Sequence, residues 1–269
     1  IIADTHGNFD ILKSNIYKYE NIHDCILIIA GDIGLGFYSK KYYDYIFDDL
    51  NNLFIEKNIH CYLLRGNHDD PIYFKYHLIN YSNVKTIDDY TIISVGNENI
   101  LCIGGAISID RKNRIESYNK KLSVYKELSK QYSNAIDFSH SKPIFKSYWE
   151  DEMPYYDESK LNEIIDNGLN IDYIITHTSP SFCFKIGVES IQYWINNDES
   201  LLDDLRHERS ELDKVLEKIR NSQNGLKKWV YGHFHEHYHM ENENIQYIAL
   251  CNCDYLFDCY LLNAESLEL

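Results

Sequence analysis

Residues 25–36 read CILIIAGDIGLG, an apolar run that passes directly into Gly31 and Asp32. A short apolar run bounded by turn residues is typical of a buried strand. In an open α/β sheet, ligands bind outside the carboxyl ends of the strands. The stretch therefore predicts a buried strand of such a sheet, with a polar, ligand-binding group at its end.

The same arrangement, a strand-like run followed by Asp, Asn or His and usually by Gly, occurs at four further places. These segments are Asp4-Thr5-His6-Gly7, Gly66-Asn67-His68-Asp69, His177 after residues 173–176, and Gly232-His233-Phe234-His235. Glycine beside the polar residues permits a sharp turn and a close approach of substrate. Extended backbone points residues i and i+2 the same way, so each Asp-x-His or His-x-His pair is expected to address one cluster.

These segments supply seven oxygen and nitrogen donors: Asp4, His6, Asp32, Asn67, His177, His233 and His235. So many mixed ligands exceed the need of one tetrahedral zinc and suit two adjacent divalent ions that share a carboxylate. Two metals about 3.5–4 Å apart stabilise the attacking and leaving oxygens of a phosphoryl displacement. His68 then remains as a proton donor. Asp-x-His or Gly-Asp alone is more often a turn or a cap, while Gly-Asn-His-Asp is moderately specific and Gly-His-x-His more so. All five in this order make a coincidental origin improbable.

Short apolar runs and longer amphipathic stretches alternate along the rest of the chain. Strands are predicted at residues 25–30, 60–64, 91–95, 100–103, 173–176, 229–231, 245–250 and 256–262. Helices are predicted at residues 9–19, 42–56, 71–80 and 198–220. This alternation predicts a layered α/β fold. Residues 109–156 are polar, with one amphipathic stretch near 120–132, and are expected to form an insertion or cap on a single domain spanning 1–269.

Composition limits the partners of the chain. Its 269 residues include 26 Lys and Arg against 42 Asp and Glu, a formal net charge of −16. This charge repels nucleic-acid phosphates and anionic lipid, so long nucleic acid is disfavoured as a partner unless a local field reverses it. No apolar stretch of about 18 residues occurs, and neither a transmembrane helix nor a signal peptide is expected. The chain does not begin with Met, so a trimmed targeting segment stays open.

The seven cysteines show no regular framework. Most of them lie in apolar, strand-like runs, which predicts free thiols in a reducing compartment, the cytoplasm. A metal site at Cys251 and Cys253 is the less favoured alternative, because no second pair has the spacing of a zinc site.

The five polar segments resemble the signature of the calcineurin-like metallophosphoesterases: Asp-x-His, Gly-Asp, Gly-Asn-His-Asp/Glu, a later His, and Gly-His-x-His. The resemblance implies an α/β fold, an αββα sandwich of two mixed β-sheets flanked by helices. It implies one metal held by Asp4, His6, Asp32 and His235, and a second held by Asp32, Asn67, His177 and His233. It further implies that His68 protonates the leaving oxygen while a metal-bridging hydroxide attacks phosphorus. Among divalent ions we expect Mn²⁺, with Fe or Zn²⁺ as alternatives.

Two further segments resemble a bacterial and phage subgroup of that family. Residues 104–111, GGAISIDR, are similar to its Gly-Gly-Ala-x-Ser-Ile-Asp-Lys/Arg segment, and residues 148–154, YWEDEMP, to its Trp-rich acidic segment. Arg111 and Arg114 are candidates for a phosphate clamp, with solvated loop charges as an equal alternative. Trp149 is expected to pack against the core more than to stack a nucleobase.

The sequence thus predicts a dinuclear metal-dependent phosphoesterase that hydrolyses phosphomonoester or phosphodiester bonds of a small or nucleotide-like substrate. A nuclease or nucleic-acid end-processing phosphatase is the alternative, and it requires Arg111, Arg114 and the Lys-rich residues 112–130 to form a basic patch. A non-catalytic interaction scaffold is less expected, because every ligand position and His68 are filled. The type of ester and the oligomeric state follow from no residue pattern.

Overall fold

Two β-sheets organise the chain in a computed structural model, which describes residues 1–18, 22–131, 146–183, 188–222 and 225–251. The helices of this part are α1 (Phe9–Lys18), α2 (Lys40–Glu56), α3 (Ile72–Lys75), α4 (Arg111–Gln131), α5 (Glu158–Asp166), α6 (Val188–Asn197) and α7 (Leu201–Ser222). The strands are β1 (Cys25–Ala30), β2 (Ile59–Leu64), β3 (Val84–Thr86), β4 (Thr91–Val95), β5 (Glu98–Ile103), β6 (Tyr173–Thr176), β7 (Lys228–Tyr231), β8 (Tyr238–Asn242) and β9 (Ile245–Ala249). None of the described helices is long and apolar enough to cross a membrane.

The two sheets differ in strand direction. Strands β1, β2 and β3 form a three-stranded sheet, and both of its pairings are parallel. The six-stranded sheet has the order β4-β5-β6-β7-β9-β8 and is mixed, with parallel central strands and an antiparallel strand at each edge. Before α1, Ile2 pairs in parallel with Ile29. The residues that follow Ile2 therefore emerge at the same end of the sheet as those that follow β1.

Alternation along the strands places the two sheets face to face, with helices outside. In β1, Leu27 and Ile29 pack into a core that also contains residues of α1 and α2. Ile28 and Ala30, which point to the other face, pack against residues of the six-stranded sheet. That sheet packs its opposite face against α5 and α7. The layers are helix, sheet, sheet, helix, which confirms the predicted αββα sandwich.

Strand positions agree with the sequence pattern better than helix ends do. Every strand predicted within the described residues coincides with an observed strand, and the one at 256–262 lies outside them. The helix predicted at 71–80 is wrong in extent, because α3 ends at Lys75 and His77 takes a left-handed φ of 46°. Beyond it, the Thr86 N–H donates to the Ile79 carbonyl at 3.0 Å, so this segment pairs with β3 instead of continuing a helix.

Helix α4 occupies much of the polar stretch 109–156 and is longer than the amphipathic segment predicted near 120–132. Its apolar residues Ile115, Val124 and Leu128 are exposed. Its first residue, Arg111, forms ion pairs of 2.6 Å with both Asp198 and Asp204, which tie the start of α4 to the start of α7. Whether the stretch acts as a cap stays a prediction.

Cys61, Cys102, Cys183 and Cys251 are free thiols. Burial raises the pKa of Cys61, Cys102 and Cys183, so these thiols are unreactive packing residues. Cys253 lies outside the described residues, and the alternative of a metal site with Cys251 is therefore not addressed.

Candidate metal centre

The polar segments converge where the carboxyl ends of β1, β2, β6 and β7 meet the N-terminal segment. Asp4 reaches this point because its N–H donates to the Gly31 carbonyl at 3.2 Å, directly after β1. The residues brought together are the seven predicted donors and the predicted proton donor: Asp4, His6, Asp32, Asn67, His68, His177, His233 and His235. They form two neighbouring groups that have Asp32 in common.

The first group consists of Asp4, His6, Asp32 and His235, whose ligand atoms all lie within 4.8 Å of one another. Nε2 of His6 lies 3.1 Å from Nε2 of His235 and 3.8 Å from Oδ2 of Asp32. Nε2 of His235 lies 3.5 Å from Oδ1 of Asp4. This is the set of residues that the family resemblance assigns to one ion.

The second group is centred on His177, which is fully buried. Its Nδ1–H donates to the Ala30 carbonyl at 2.8 Å, which leaves Nε2 as the metal-facing nitrogen. Nε2 lies 3.0 Å from Oδ1 of Asn67 and 3.1 Å from Oδ1 of Asp32. The ring centre of His233 lies 5.2 Å from that of His177.

The contacts of His177 test whether a cation fits. A lone pair on Nε2 that faces two oxygen acceptors is repelled by both, unless a proton or a metal ion lies between them. Burial alone lowers the pKa of His177, but the Asp32 carboxylate outweighs it and raises that pKa to about 9. Burial likewise acts to raise the pKa of Asp32, and the surrounding His177, His68 and His6 hold it well below its usual value. The oxygens are thus arranged to favour positive charge, and a divalent cation can replace the proton. The donor set fits the metals that the family resemblance implies.

Two glycines are required by the close packing of the ligand residues. A Cβ on Gly31 would lie 2.2 Å from Nδ1 of His177, and one on Gly66 would lie 2.1 Å from the backbone nitrogen of Asp32. Both distances are shorter than any real contact, so neither position admits another residue without a shift of the ligands. At these two glycines it is the ligand residues that approach closely, and the expected approach of substrate stays a prediction.

The backbone at the paired ligands is left-handed, so the expected extended alternation is wrong. Asp4 and His6 have φ of 55° and 47°, and His233 and His235 have φ of 72° and 55°. Such conformations are uncommon for residues other than glycine and cluster at functional sites. The two histidines of the second pair consequently serve different groups, with His235 beside Asp4 and His233 beside His177.

His68 lies at the edge of both groups. The backbone N–H of His68 donates to Oδ1 of Asp32 at 2.8 Å, and the ring centre of His68 lies 4.8 Å from that of His6. Nη2 of Arg114 lies 2.7 Å from Nε2 of the ring, while Oδ1 of Asp110 lies 2.6 Å from Nε of the same guanidinium. Burial, assisted by Arg114 and opposed by Asp32, lowers the pKa of His68 to about 4.

The two arginines predicted as a phosphate clamp have different surroundings. Arg114 contacts His68, whereas Arg111 donates to Asp198, Ser200 and Asp204. Trp149 is 8% exposed and packs with its ring centre 5.8 Å from that of Phe37, which agrees with the packing interpretation. Phe37, which the sequence pattern did not single out, also stands 6.1 Å from the ring of His68.

Asp69 is a further residue whose role the sequence did not reveal. It is 1% exposed, and its two carboxylate oxygens accept four backbone N–H groups at 2.8–3.1 Å, those of Ile33, Gly34, Leu35 and Gly66. Asp69 thereby joins the loop that follows Asp32 to the loop that carries Asn67. The glycine-rich residues 31–36 indicate a turn whose backbone N–H groups need an acceptor. No local pattern identifies Asp69 as that acceptor.

The fold and this cluster define a metal-dependent phosphoesterase. The chain matches the family model of the calcineurin-like phosphoesterases over residues 1–237, and it belongs to that family. The family implies a dinuclear centre of divalent metals. The match does not show whether the chain belongs to the bacterial and phage subgroup, and membership of that subgroup stays a prediction.

The chain is similar to solved structures at low sequence identity. The chain is similar to a dimetal phosphatase from Danio rerio, with 14% identity and a TM-score of 0.52 over 94% of this chain and 86% of that one. It is also similar to a phosphopantetheinyl hydrolase from Mycobacterium tuberculosis, with 14% identity and a TM-score of 0.41 over 94% of this chain and 88% of that one. No curated protein matches the sequence.

Proposed function

We propose that the protein hydrolyses a phosphate ester by direct attack of water, with two divalent cations at the cluster and His68 as the proton donor. The observation that carries this proposal is the pair of donor groups that share Asp32, with His68 and Arg114 at their common edge. When bound, such a pair of cations supplies Lewis-acid stabilisation of the phosphoryl oxygens and lowers the pKa of the attacking water.

Asp32 supports two cation positions because its oxygens face different groups. Oδ2 lies 3.8 Å from Nε2 of His6, and Oδ1 lies 3.1 Å from Nε2 of His177. We assign the first cation to Asp4, His6, Asp32 and His235, and the second to Asp32, Asn67, His177 and His233. Mixed carboxylate, amide and imidazole donors suit Mn²⁺, with Fe or Zn²⁺ as alternatives.

His68 and Arg114 are proposed to act on the substrate itself. His68 is neutral in the free protein, because its pKa lies near 4. An anionic phosphoryl group beside the ring favours the imidazolium, so the ring takes up a proton from solvent and delivers it to the leaving oxygen. Arg114, held by Asp110, offers guanidinium N–H groups to the phosphoryl oxygens at the same edge.

The proposed substrate is a small phosphate ester, of nucleotide-like size or less. A net charge of −16 opposes the approach of a long polyanion, whereas a small ester needs positive charge only at the metal centre and Arg114. The nuclease alternative keeps one supporting observation. Helix α4 carries seven Lys and Arg against two Glu, a local charge of +5, within an otherwise acidic chain. Salt-dependent binding of a single-stranded oligonucleotide would favour it, and no binding at low salt would exclude it.

Hydrolysis of p-nitrophenyl phosphate and bis-p-nitrophenyl phosphate in the presence of Mn²⁺ tests the proposal. We expect turnover that stops with EDTA, returns with Mn²⁺ and falls in His68→Ala, while His60→Ala, an exposed histidine of β2, retains it. The ratio of diester to monoester rates then defines the type of ester. Absence of turnover with Mn²⁺, Fe²⁺ and Zn²⁺ would refute the proposed function.

We also propose a reducing compartment such as the cytoplasm as the location. The support is that Cys61, Cys102 and Cys183, which are buried in the cores, are free thiols. Disulfides are rare where glutathione and thioredoxin keep thiols reduced. Fractionation of the native protein tests this directly.

A further inference from the structure

Two segments that resemble a family subgroup meet behind the metal centre, where Asn67 contacts Ser108 and Ser108 contacts Glu152. Nδ2 of Asn67 lies 2.9 Å from Oγ of Ser108, and that hydroxyl lies 2.7 Å from Oε2 of Glu152. The Ser108 N–H donates to the other oxygen, Oε1, at 2.7 Å. Asn67, Ser108 and Glu152 are each 3% exposed or less, so water does not compete for these contacts.

We propose that Ser108 and Glu152 are positioning residues that orient the Asn67 amide so that its oxygen, and not its nitrogen, faces the second cation. The inference rests on the proposed function, since it concerns a ligand of the proposed metal pair. Ser108 and Glu152 touch neither the substrate nor the reacting atoms in this scheme.

The orientation follows from what each group can donate. An ionised carboxylate only accepts hydrogen bonds, so the Ser108 hydroxyl donates its hydrogen bond to Glu152. The Ser108 oxygen then has only lone pairs left for Asn67 and must receive an N–H from it. This places the NH₂ group of the amide toward Ser108 and leaves Oδ1 beside Nε2 of His177, at 3.0 Å. An amide nitrogen has no lone pair to offer a metal, so the reversed amide would not be a ligand.

Glu152 is itself held in place. Arg65, which directly precedes Gly66 and Asn67, donates to the backbone carbonyls of Asp151 at 3.0 Å and Glu152 at 2.8 Å. Burial raises the pKa of Glu152 to about 8, and its two hydrogen bonds from Ser108 oppose that shift. Two divalent cations bound nearby would oppose the shift as well, and it is the ionised form of Glu152 that the orientation requires.

A matched pair of buried carboxylates separates orientation from general stability. Glu211 is 7% exposed and accepts the Tyr156 N–H at 2.9 Å, so it also holds a backbone segment in place, but its partners are not ligand residues. We therefore compare Ser108→Ala, Glu152→Gln and Glu211→Gln by calorimetric titration of the full chain with Mn²⁺ alone. Thermal melting of the metal-free proteins reports how much each change destabilises the fold.

For Ser108→Ala and Glu152→Gln we expect the affinity for one of the two Mn²⁺ equivalents to fall by about 10–100-fold, the usual effect of removing a partner of a metal ligand. For Glu211→Gln we expect the Mn²⁺ affinity to change by less than about threefold, even if its melting temperature falls as much as that of Glu152→Gln. Unchanged Mn²⁺ affinity in Ser108→Ala and Glu152→Gln would overturn the proposal.

A second arm uses Asn67→Asp, whose two side-chain oxygens are equivalent and need no orientation. Adding Ser108→Ala to Asn67→Asp is expected to change Mn²⁺ affinity by less than about threefold, whereas a loss as large as in the wild-type background would show a merely structural effect and refute the inference. Wild-type protein that binds no Mn²⁺ would overturn the proposed function together with this inference. If the wild-type protein binds two equivalents of Mn²⁺ and Ser108→Ala binds them equally well, only the proposed orientation of Asn67 is overturned.

Discussion

Arg114 and His68 meet at the edge of the metal centre, with Nη2 of the arginine 2.7 Å from Nε2 of the histidine and Nη1 3.2 Å from Nδ1. A neutral ring nitrogen of His68 can accept from the guanidinium, whereas the imidazolium would be repelled by it, so the contact contributes to the low pKa of His68. Asp110 fixes the guanidinium from behind at 2.6 Å. A phosphoryl group that replaced this contact would give both Arg114 and His68 an anionic partner, which makes this edge the expected place of the substrate.

Arg114→Ala should therefore lower kcat/KM by about 10²–10³-fold, the usual loss when one donor to a developing negative charge is removed. Arg114→Lys should recover part of the loss, because it restores the charge without the planar donor pair. Steady-state kinetics on p-nitrophenyl phosphate with Mn²⁺ measure both effects. Lys121→Ala, an exposed change on the same helix, is the control, and equal kinetics for it and Arg114→Ala would exclude a substrate role for Arg114.

His68→Ala should lower kcat by about 10²–10⁴-fold through loss of general acid catalysis. The loss should be larger for an alkyl or phenyl ester than for a p-nitrophenyl ester, since a good leaving group needs little protonation. Mn²⁺ stoichiometry should be unchanged, because His68 is not among the assigned ligands. An equal loss with all leaving groups would show that His68 acts otherwise than as a proton donor.

Removing ligands should separate the two cations. His235→Ala is expected to weaken the site formed with Asp4 and His6, and His233→Ala the site formed with His177. Asp32→Ala should weaken both, because its two oxygens face the two groups. Equilibrium dialysis with Mn²⁺, together with the rise in melting temperature that bound metal produces, gives the number of sites. His237→Ala, two residues further along, serves as control, and loss of both equivalents in His235→Ala alone would contradict the assignment.

The chemistry of this site was accessible from sequence because its signals are local. Each ligand follows a short apolar run, and such runs coincide with β1, β2, β6 and β7. Parallel pairing within each sheet and the packing of the two sheets then bring residues far apart in the chain, such as Asp32 after β1 and His177 after β6, to one end of the molecule. The donor types of Asp, His and Asn fix the chemistry without knowledge of exact distances.

What escaped prediction depends on contacts between distant segments. Strand β3 has only three residues, and β8 is a polar edge strand, so neither shows a clear apolar run. Asp69 binds the loop of residues 33–35, and Glu152 binds Ser108, across 34 to 44 positions of chain. Arg111 and Arg114 look alike in sequence. Only the packing of α4 places Arg111 against Asp198 and Arg114 against His68. Such pairings are set by tertiary structure and leave no periodic trace.

Arg111 is expected to stabilise the fold instead of binding phosphate. Arg111→Ala should lower the free energy of unfolding at pH 7 by about 1–3 kcal/mol, through loss of charged hydrogen bonds to Asp198 and Asp204. The hydrogen bond from Arg111 lowers the pKa of Asp198 below its unfolded value of about 3.9. That contribution is therefore complete above about pH 5 and is lost as the pH falls through the folded pKa.

Urea unfolding of wild type and Arg111→Ala at pH 7 and at pH 3 checks this, and the difference between them should shrink at the lower pH. Arg206→Ala, whose partner Asp203 is largely exposed, should change stability by less than about 0.5 kcal/mol. KM should stay within about twofold of wild type in Arg111→Ala. A fall in kcat/KM as large as that expected for Arg114→Ala would indicate that Arg111 binds phosphate after all.

Each of the two carboxylate oxygens of Asp69 accepts two backbone N–H groups, so we expect the fold to depend strongly on this side chain. In Asp69→Asn one oxygen is replaced by an NH₂ group, which faces N–H groups that it cannot accept. Buried donors left without a partner cost about 1–3 kcal/mol each, so we expect the free energy of unfolding to fall by about 3 kcal/mol or more and the melting temperature by about 6–12 °C.

Asp70→Asn is the matched control, because the neighbouring carboxylate accepts the Ile72 N–H at 3.1 Å and is only partly buried. Because the loops of Asp32 and Asn67 lose their common anchor, Mn²⁺ affinity should fall in Asp69→Asn and persist in Asp70→Asn. Equal melting temperatures and equal Mn²⁺ affinities for the two variants would show that Asp69 does not hold the ligand loops together.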